Sequence, residues 1–350
     1  MHDVPIVNRQ RDDLVSRELI DGILMYLEGE GGEEVGDAAR ELLDHFLDAT
    51  TNWLGSPDYQ RIIQKRGFSL AIKAPYVLHA MLAISARHLS HLKPCEKYTI
   101  AAAIHYQRAL RAYSAQLEAP INSDNVDEII GCGFLHTMLA FENISRFPED
   151  ERISTSREDA AASATWLRAM QGMGILQETR DIRSRSKDSI WLPVFHASGG
   201  CEDIRCQHAG EAADTEVTAI SRSLHALCDV PLDSSGLGHV YHHPLELLCG
   251  LIRVDASHES VGRFIVFIGQ LSPMFVQLFE QGDVKATLLM AYWCALMIGI
   301  DQWWIVNSAI SECRRLCAIL DRVSVSPIRE LLHFPAQKCN YVLREINVGV

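Results

Sequence analysis

The sequence has little positive charge for its length, and that charge is scattered. Lys and Arg number 32 against 45 Asp and Glu, which gives a net charge of −13 at pH 7. Proteins that bind nucleic acid directly draw much of their affinity from Lys and Arg contacts to phosphates. The one basic cluster, Arg180, Arg183, Arg185 and Lys187, is interleaved with acidic residues. It predicts a solvated loop, with a phosphate-contacting patch as the alternative, and we expect no direct nucleic-acid binding.

Long apolar runs and an export signal are also missing. Residues 1–10 contain no apolar core of a signal peptide, and the longest apolar run, Leu288 to Ile300, is too short to cross a bilayer. Ten cysteines in such a chain indicate reduced thiols, because the cytosol and nucleus keep them so. We therefore predict a cytoplasmic or nuclear protein that does not insert into membranes.

Recognisable catalytic and metal-binding motifs are absent as well. The chain has no Gly-x-Ser-x-Gly elbow, no cysteine with a catalytic signature and no phosphate-binding glycine loop. Cys201, Cys206 and His208 are loosely spaced, and Cys313 and Cys317 form an isolated pair one helical turn apart. Structural zinc usually takes four ligands with paired short spacings, so we predict no metal site and no cofactor.

What the sequence does have is helical periodicity, with almost no strand-like alternation. We predict an all-α fold: a single multi-helix, bundle-like domain over residues 37–350 with an apolar internal cavity, preceded by a poorly ordered or partly helical segment, 1–36. One further helix should carry Trp166, Met170 and Met173. The other predicted helices cover residues 37–53, 76–92, 95–117, 126–142, 217–228, 243–257, 261–280, 284–299 and 303–320.

A few polar residues stand in apolar surroundings and are weak catalytic candidates. His79 and His136 lie inside apolar helices, while Glu142 and Asp301 lie next to aromatic residues. A buried histidine bonded to a neighbouring carbonyl is the ordinary interpretation. The alternatives are a polar contact in a ligand pocket or a proton carrier in an enzyme.

Large, adaptable apolar side chains are concentrated in the central and C-terminal helices. Each is compatible with ordinary core packing, but together they also suit a cavity for a lipophilic molecule. The predicted ligand-binding residues are Phe134, Met138, Trp166, Met170, Met173, Phe275, Phe279, Met290, Trp293 and Met297.

Five segments in order resemble the helical effector domain of fungal zinc-cluster transcription factors of the sterol-uptake regulator type. They are APYVLHAMLAISARHLSHLKP (74–94), YTIAAAIHYQRALRAYSAQL (98–117), NVDEIIGCGFLHTMLAFEN (125–143), WLRAMQGMGIL (166–176) and the stretch from FIVFIGQLSP to DQWW (264–304). The resemblance covers about residues 37 to 345 and implies a sterol-binding helical domain. The chain departs from the family in one respect: no two cysteines stand three apart, so the six-cysteine zinc cluster is missing.

The resemblance implies a regulatory domain that binds a hydrophobic small molecule, such as a sterol or terpenoid, without its own DNA-binding module. A homodimer or a partner in the transcription machinery is possible. An alternative is a metal-independent enzyme of fungal secondary metabolism that folds a terpenoid or polyketide precursor for cyclisation or cycloaddition, in the manner of a Diels-Alderase. A further alternative is an interaction partner of another regulator.

Overall fold

A computed structural model describes residues 21–23, 25, 33–146, 165–178, 189–197, 215–231, 238–323 and 326–344. Every regular element in these ranges is helical, which confirms the predicted all-α fold. Most of segment 1–36, the basic cluster at 180–187, and Cys201, Cys206 and His208 lie outside the described residues.

The α-helices are numbered here in chain order. They are α1 (Glu33–Asp48), α2 (Pro57–Lys73), α3 (Pro75–Leu92), α4 (Glu96–Leu117), α5 (Val126–Glu142), α6 (Thr165–Glu178), α7 (Leu192–Ala197), α8 (Thr215–Cys228), α9 (His242–Leu251), α10 (Val261–Gly269), α11 (Pro273–Glu280), α12 (Val284–Met297), α13 (Trp303–Val323) and α14 (Ser326–Cys339). Short 3-10 turns cover Thr50–Trp53 and Asn143–Arg146.

The chain forms two compact units. Unit 1 comprises residues 1–139 and 177–194, and unit 2 comprises residues 140–176 and 195–350. The predicted boundaries of a domain over residues 37–350 stay a prediction.

Unit 1 is built around α3, which is apolar on nearly every side and buried from Tyr76 to Leu89. It packs against α1, α2 and α4, and Ser85 donates a 2.6 Å hydrogen bond to the carbonyl of Leu42 in α1. Trp191 is fully buried in this unit and stacks on Tyr59. Its indole N–H donates to the carbonyl of Asp127 in α5. Trp191 is therefore a core residue that sequence reasoning missed.

Unit 2 is built around α12, which is buried along almost its whole length and packs against α13 and α14. The single helix predicted over 261–280 is wrong. The structure has α10 and α11 instead, bent by 88° across a short break. Ser272 caps α11 by accepting a hydrogen bond from the N–H of Phe275, and Pro273 occupies the first helical position, where its missing N–H costs nothing.

Among the described residues, no single helix is both long enough and apolar enough to cross a membrane. Helices α10 and α11 have the required length and apolar character only when they are taken together, and they are bent relative to each other.

Helices α6 and α10 of unit 2 approach each other closely at two glycines. A Cβ atom on Gly174 would lie 2.6 Å from both the Cα and the carbonyl oxygen of Gly269, and these backbone atoms cannot rotate away. Glycine is therefore required at residue 174 by this close approach. We expect Gly174→Ala to lower the free energy of unfolding by about 1–3 kcal/mol, because α6 and α10 must separate.

Gly172, two residues earlier in α6, provides a matched control, since a Cβ atom there would meet nothing within 4 Å. Gly172→Ala should raise stability by about 0.5–1 kcal/mol, because alanine loses less backbone entropy than glycine on entering a helix. Urea titration followed by circular dichroism would compare the two variants. Equal effects of the two substitutions would contradict the close approach.

Candidate functional site

Helix α14 contains a proline whose missing hydrogen bond is replaced by another helix. Pro335 has no N–H, so the carbonyl of Leu331, four residues earlier, loses its helical partner. The hydroxyl of Tyr292 in α12 donates a 2.8 Å hydrogen bond to that carbonyl. The Tyr292 ring also stacks on Phe334, with centroids 5.2 Å apart. Burial raises the pKa of Tyr292, which keeps its hydroxyl protonated and able to donate.

A cleft of about 710 Å³ opens between α8 and α14, and Tyr292 forms part of its lining. Clefts of about 300–1,000 Å³ are the usual size for small-molecule sites. The residues that line the cleft are Ala219, Ile220, Ser223, Ala226, Leu227, Tyr292, Pro327, Glu330, Leu331, His333, Phe334 and Gln337.

The lining of the cleft has a buried part and an exposed part. Tyr292 and Leu331 are buried, whereas Ser223, Glu330 and His333 are exposed. The cleft can therefore receive an apolar body against its buried part, while exposed side chains remain available for one or two hydrogen bonds to a polar end of the ligand.

None of the ten predicted ligand-binding residues lines this cleft. Phe134 and Met138 belong to unit 1, where Phe134 makes edge contacts with Tyr59 and Trp191. The other eight belong to unit 2 and are buried: Trp166, Met170, Met173, Phe275, Phe279, Met290, Trp293 and Met297. Their contacts are those of core side chains, and their role in ligand binding stays a prediction.

The aromatic centre of unit 2 illustrates this packing. The Trp166 and Trp293 rings are stacked with centroids 5.8 Å apart and an interplanar angle of 8°. Phe141 meets both rings edge-on. The indole N–H of Trp293 donates to the carbonyl of Phe264, 2.9 Å away, so this polar atom is satisfied within the protein.

The two candidate catalytic histidines lie in unit 1. The Nδ1 atom of His79 lies 3.1 Å from the Nδ1 atom of His105 in α4, and burial lowers the pKa of His105 to about 3. His136 lies beside the rings of Tyr106 and Tyr113, and burial lowers its pKa to about 4. His105 and His136 are therefore neutral at pH 7.

The two candidate catalytic carboxylates belong to unit 2. Glu142 is buried at the end of α5, and its backbone carbonyl accepts a hydrogen bond from Ser308 in α13. Asp301 is exposed in the short connection between α12 and α13. Neither residue lines the cleft. A catalytic role for any of the four candidates stays a prediction.

A third cysteine lies close to Cys313 and Cys317, the two cysteines that are one helical turn apart in the sequence. Cys339, at the end of α14, places its sulfur 4.0 Å from that of Cys317 in α13, and Cys313 completes a group of three buried thiols. The sequence contained no signal for this group, because Cys339 is 22 residues beyond Cys317 and meets it only through the packing of α13 and α14.

Two comparisons with known proteins bear on this chain. Residues 41–183 match the family described as the fungal specific transcription factor domain. Over 245 residues, 68% of this chain, it is 26% identical to Sterol uptake control protein 2 of Saccharomyces cerevisiae. The chain spans about a quarter of the length of that curated relative.

The family match ends before α8, so it does not include the helices that line the cleft. It does include α2 to α6, four of which carry motifs on which the resemblance was based. Residues 41–183, which include α2 to α6, are thus the part of this chain that resembles the fungal specific transcription factor domain.

Proposed function

We propose that this chain is a regulatory domain of transcription control that binds a lipophilic small molecule, of sterol or terpenoid type, in the cleft between α8 and α14. The observation that carries the proposal is the cleft itself, with its volume of about 710 Å³ and its aromatic and aliphatic lining. The match to the fungal specific transcription factor domain and the likeness to a protein named for the control of sterol uptake support the regulatory setting.

The lining favours a ligand with an extended apolar surface and a single polar group. The Tyr292 and Phe334 rings stack on each other and offer an aromatic surface beside Leu331. The exposed side chains of Glu330, His333 and Gln337, all on α14, can accept or donate a hydrogen bond to a hydroxyl group. A sterol or a terpenoid alcohol combines these two features.

Ligand binding would act on the separation of α8 and α14. A molecule that contacts both helices favours the arrangement in which those contacts are best, and it shifts the population only by its difference in affinity between arrangements. The exposed face of α14 would then present a different surface to other proteins of transcription control. The expected location is the nucleus or the cytoplasm, where such proteins act.

The test is saturable binding of dehydroergosterol, a fluorescent sterol, together with farnesol as a terpenoid alcohol. Ala226 is exposed on α8 and lines the cleft, so Ala226→Trp fills the cleft without disturbing the core. We expect this variant to weaken binding by at least about tenfold, equivalent to about 1.4 kcal/mol. Fluorescence titration and thermal stabilisation by the ligand would both report the loss.

Ala103→Trp is the matched control, because Ala103 is also exposed on a helix but lies in unit 1 and does not line the cleft. It should bind the probes as the parent protein does. The proposal is rejected if the parent protein shows no saturable binding of either probe, or if both tryptophan variants bind equally well.

A further inference from the structure

Three buried thiols of unit 2 converge on one point. Cys313 and Cys317 share a face of α13, because residues four apart in a helix are neighbours, and Cys339 ends α14. None of the three is exposed, and their sulfur atoms all lie within 4.8 Å of one another. In the part of the chain that the structure describes, this is the one group of three His, Cys, Asp or Glu side chains that lie this close.

The backbone around Cys339 fixes its position firmly. Asn340 has a left-handed conformation (φ of 56°), and the N–H groups of Asn340 and Tyr341 donate to the carbonyls of Gln337 and Ala336. These two bonds form a Schellman motif, a common end of an α-helix. In addition, Nε of Arg314 in α13 donates a 2.7 Å hydrogen bond to the carbonyl of Cys339. The third sulfur is therefore held against α13 by contacts that do not involve the thiols.

The spacing of the sulfurs matches a three-coordinate site. With metal–sulfur bonds of about 2.3 Å, a planar trigonal site has sulfur–sulfur distances of about 4.0 Å. The Cys317 and Cys339 sulfurs are 4.0 Å apart. Structural zinc takes a fourth ligand, but the group contains three thiols, and their complete burial leaves no open side for a water ligand.

We propose that Cys313, Cys317 and Cys339 form a binding site for a soft, thiophilic ion that accepts three sulfur ligands, with Cu(I) as the ion that fits best. Thiolate ligands select Cu(I) over the harder divalent ions. Binding is coordination without any change of oxidation state: each thiol that becomes a ligand releases its proton to solvent, and the ion enters as Cu(I).

The Arg314 guanidinium, whose Nε donates to the carbonyl of Cys339, places a positive charge beside the group. Metal-ligating thiolates are stabilised by a nearby positive charge. The site is separate from the proposed lipid cleft, because none of the three cysteines lines that cleft.

The test is titration of the reduced 350-residue chain with Cu(I) under anaerobic conditions in competition with bathocuproine disulfonate. We expect one equivalent of Cu(I) to be retained, with a first shell of three sulfur atoms by X-ray absorption. Cys339→Ala should lose this equivalent. Cys317→Ala provides a second variant should Cys339→Ala fail to fold, as judged by circular dichroism.

Cys132→Ala is the matched control, because Cys132 is equally buried but lies in unit 1. It should retain the equivalent. The inference is overturned if the competitor removes all the copper, if Cys132→Ala loses as much as Cys339→Ala, or if the first shell contains nitrogen, oxygen or a fourth sulfur. Dehydroergosterol binding by the same variants reports separately on the cleft.

Discussion

Glu312→Ala is expected to lower the free energy of unfolding by about 3–5 kcal/mol, because it leaves a buried guanidinium without its carboxylate. Glu312 and Arg315 face each other one turn apart in α13, and both side chains are buried. Nε and Nη2 of Arg315 donate to the two carboxylate oxygens of Glu312 over 2.9 and 2.6 Å. Removing one partner keeps the cost of burying the other charge and gives up the attraction that offset it.

Two control variants distinguish the loss of a buried charge pair from the loss of packing. The double replacement of Glu312 and Arg315 by Met removes both charges and should be far less harmful than Glu312→Ala. Arg61→Ala breaks the exposed pair of Arg61 with Asp58 and should cost less than about 1 kcal/mol. Urea titration of the four proteins gives the comparison. A double variant as unstable as Glu312→Ala would show that the buried pair is not the cause.

Trp293→Ala is expected to lower the free energy of unfolding by about 3–5 kcal/mol, because it opens a large cavity in the core of unit 2. Trp293 is completely buried, and its ring lies against those of Phe141, Trp166 and Phe267. The substitution also leaves the carbonyl of Phe264 without its indole donor. Thermal unfolding and urea titration would both show the loss.

Trp53→Ala is the corresponding control, since Trp53 is 48% exposed and its removal opens no core cavity. It should change stability by about 0.5 kcal/mol or less. The sequence also predicted Trp293 as a ligand contact, and the same variants test that interpretation. Suppose that Trp293→Ala folds, is nearly as stable as the parent and does not bind dehydroergosterol. That result would show that Trp293 contacts the ligand and would contradict its role in stabilising the core.

The helical period in the sequence located most helices, because a buried apolar face repeats at that period whatever it packs against. The expected helix 76–92 is α3 (Pro75–Leu92), and the expected helix 126–142 is α5. The helical period failed to locate a helix where residues at the helix start, rather than an apolar face, determine the structure. Helices α2, α7 and α14 were missed, and α10 and α11 were joined into one.

Three of these four errors occurred at a Ser-Pro pair. Ser56-Pro57, Ser272-Pro273 and Ser326-Pro327 stand at the starts of α2, α11 and α14. The hydroxyls of Ser56 and Ser272 each accept a hydrogen bond from an N–H in the first turn. Serine favours the cap position of a helix and proline the first helical position, so each pair is a local signal for the start of a helix.

The candidate sites depend on tertiary packing that no local pattern encodes. The cleft exists because α8 and α14 do not pack closely along their whole length. No pattern in the sequence marks a place where two helices fail to make contact. The thiol group exists because two helices bring Cys339 to Cys317 across 22 residues. Residue type and spacing along the chain indicate which side chains suit a core. They do not indicate where the core ends and a cleft begins.

The bond from Tyr292 to Leu331 limits how α14 can move. A helix that supplies all its own backbone bonds can slide along its neighbour without losing any of them. In α14, Pro335 cannot donate to the carbonyl of Leu331, and the hydroxyl of Tyr292 in α12 donates to that carbonyl instead. Sliding would give up that bond and expose the carbonyl, whereas turning about the tyrosine hydroxyl keeps it. A movement of α14 that widens the cleft therefore keeps this bond only if the helix turns about the Tyr292 hydroxyl.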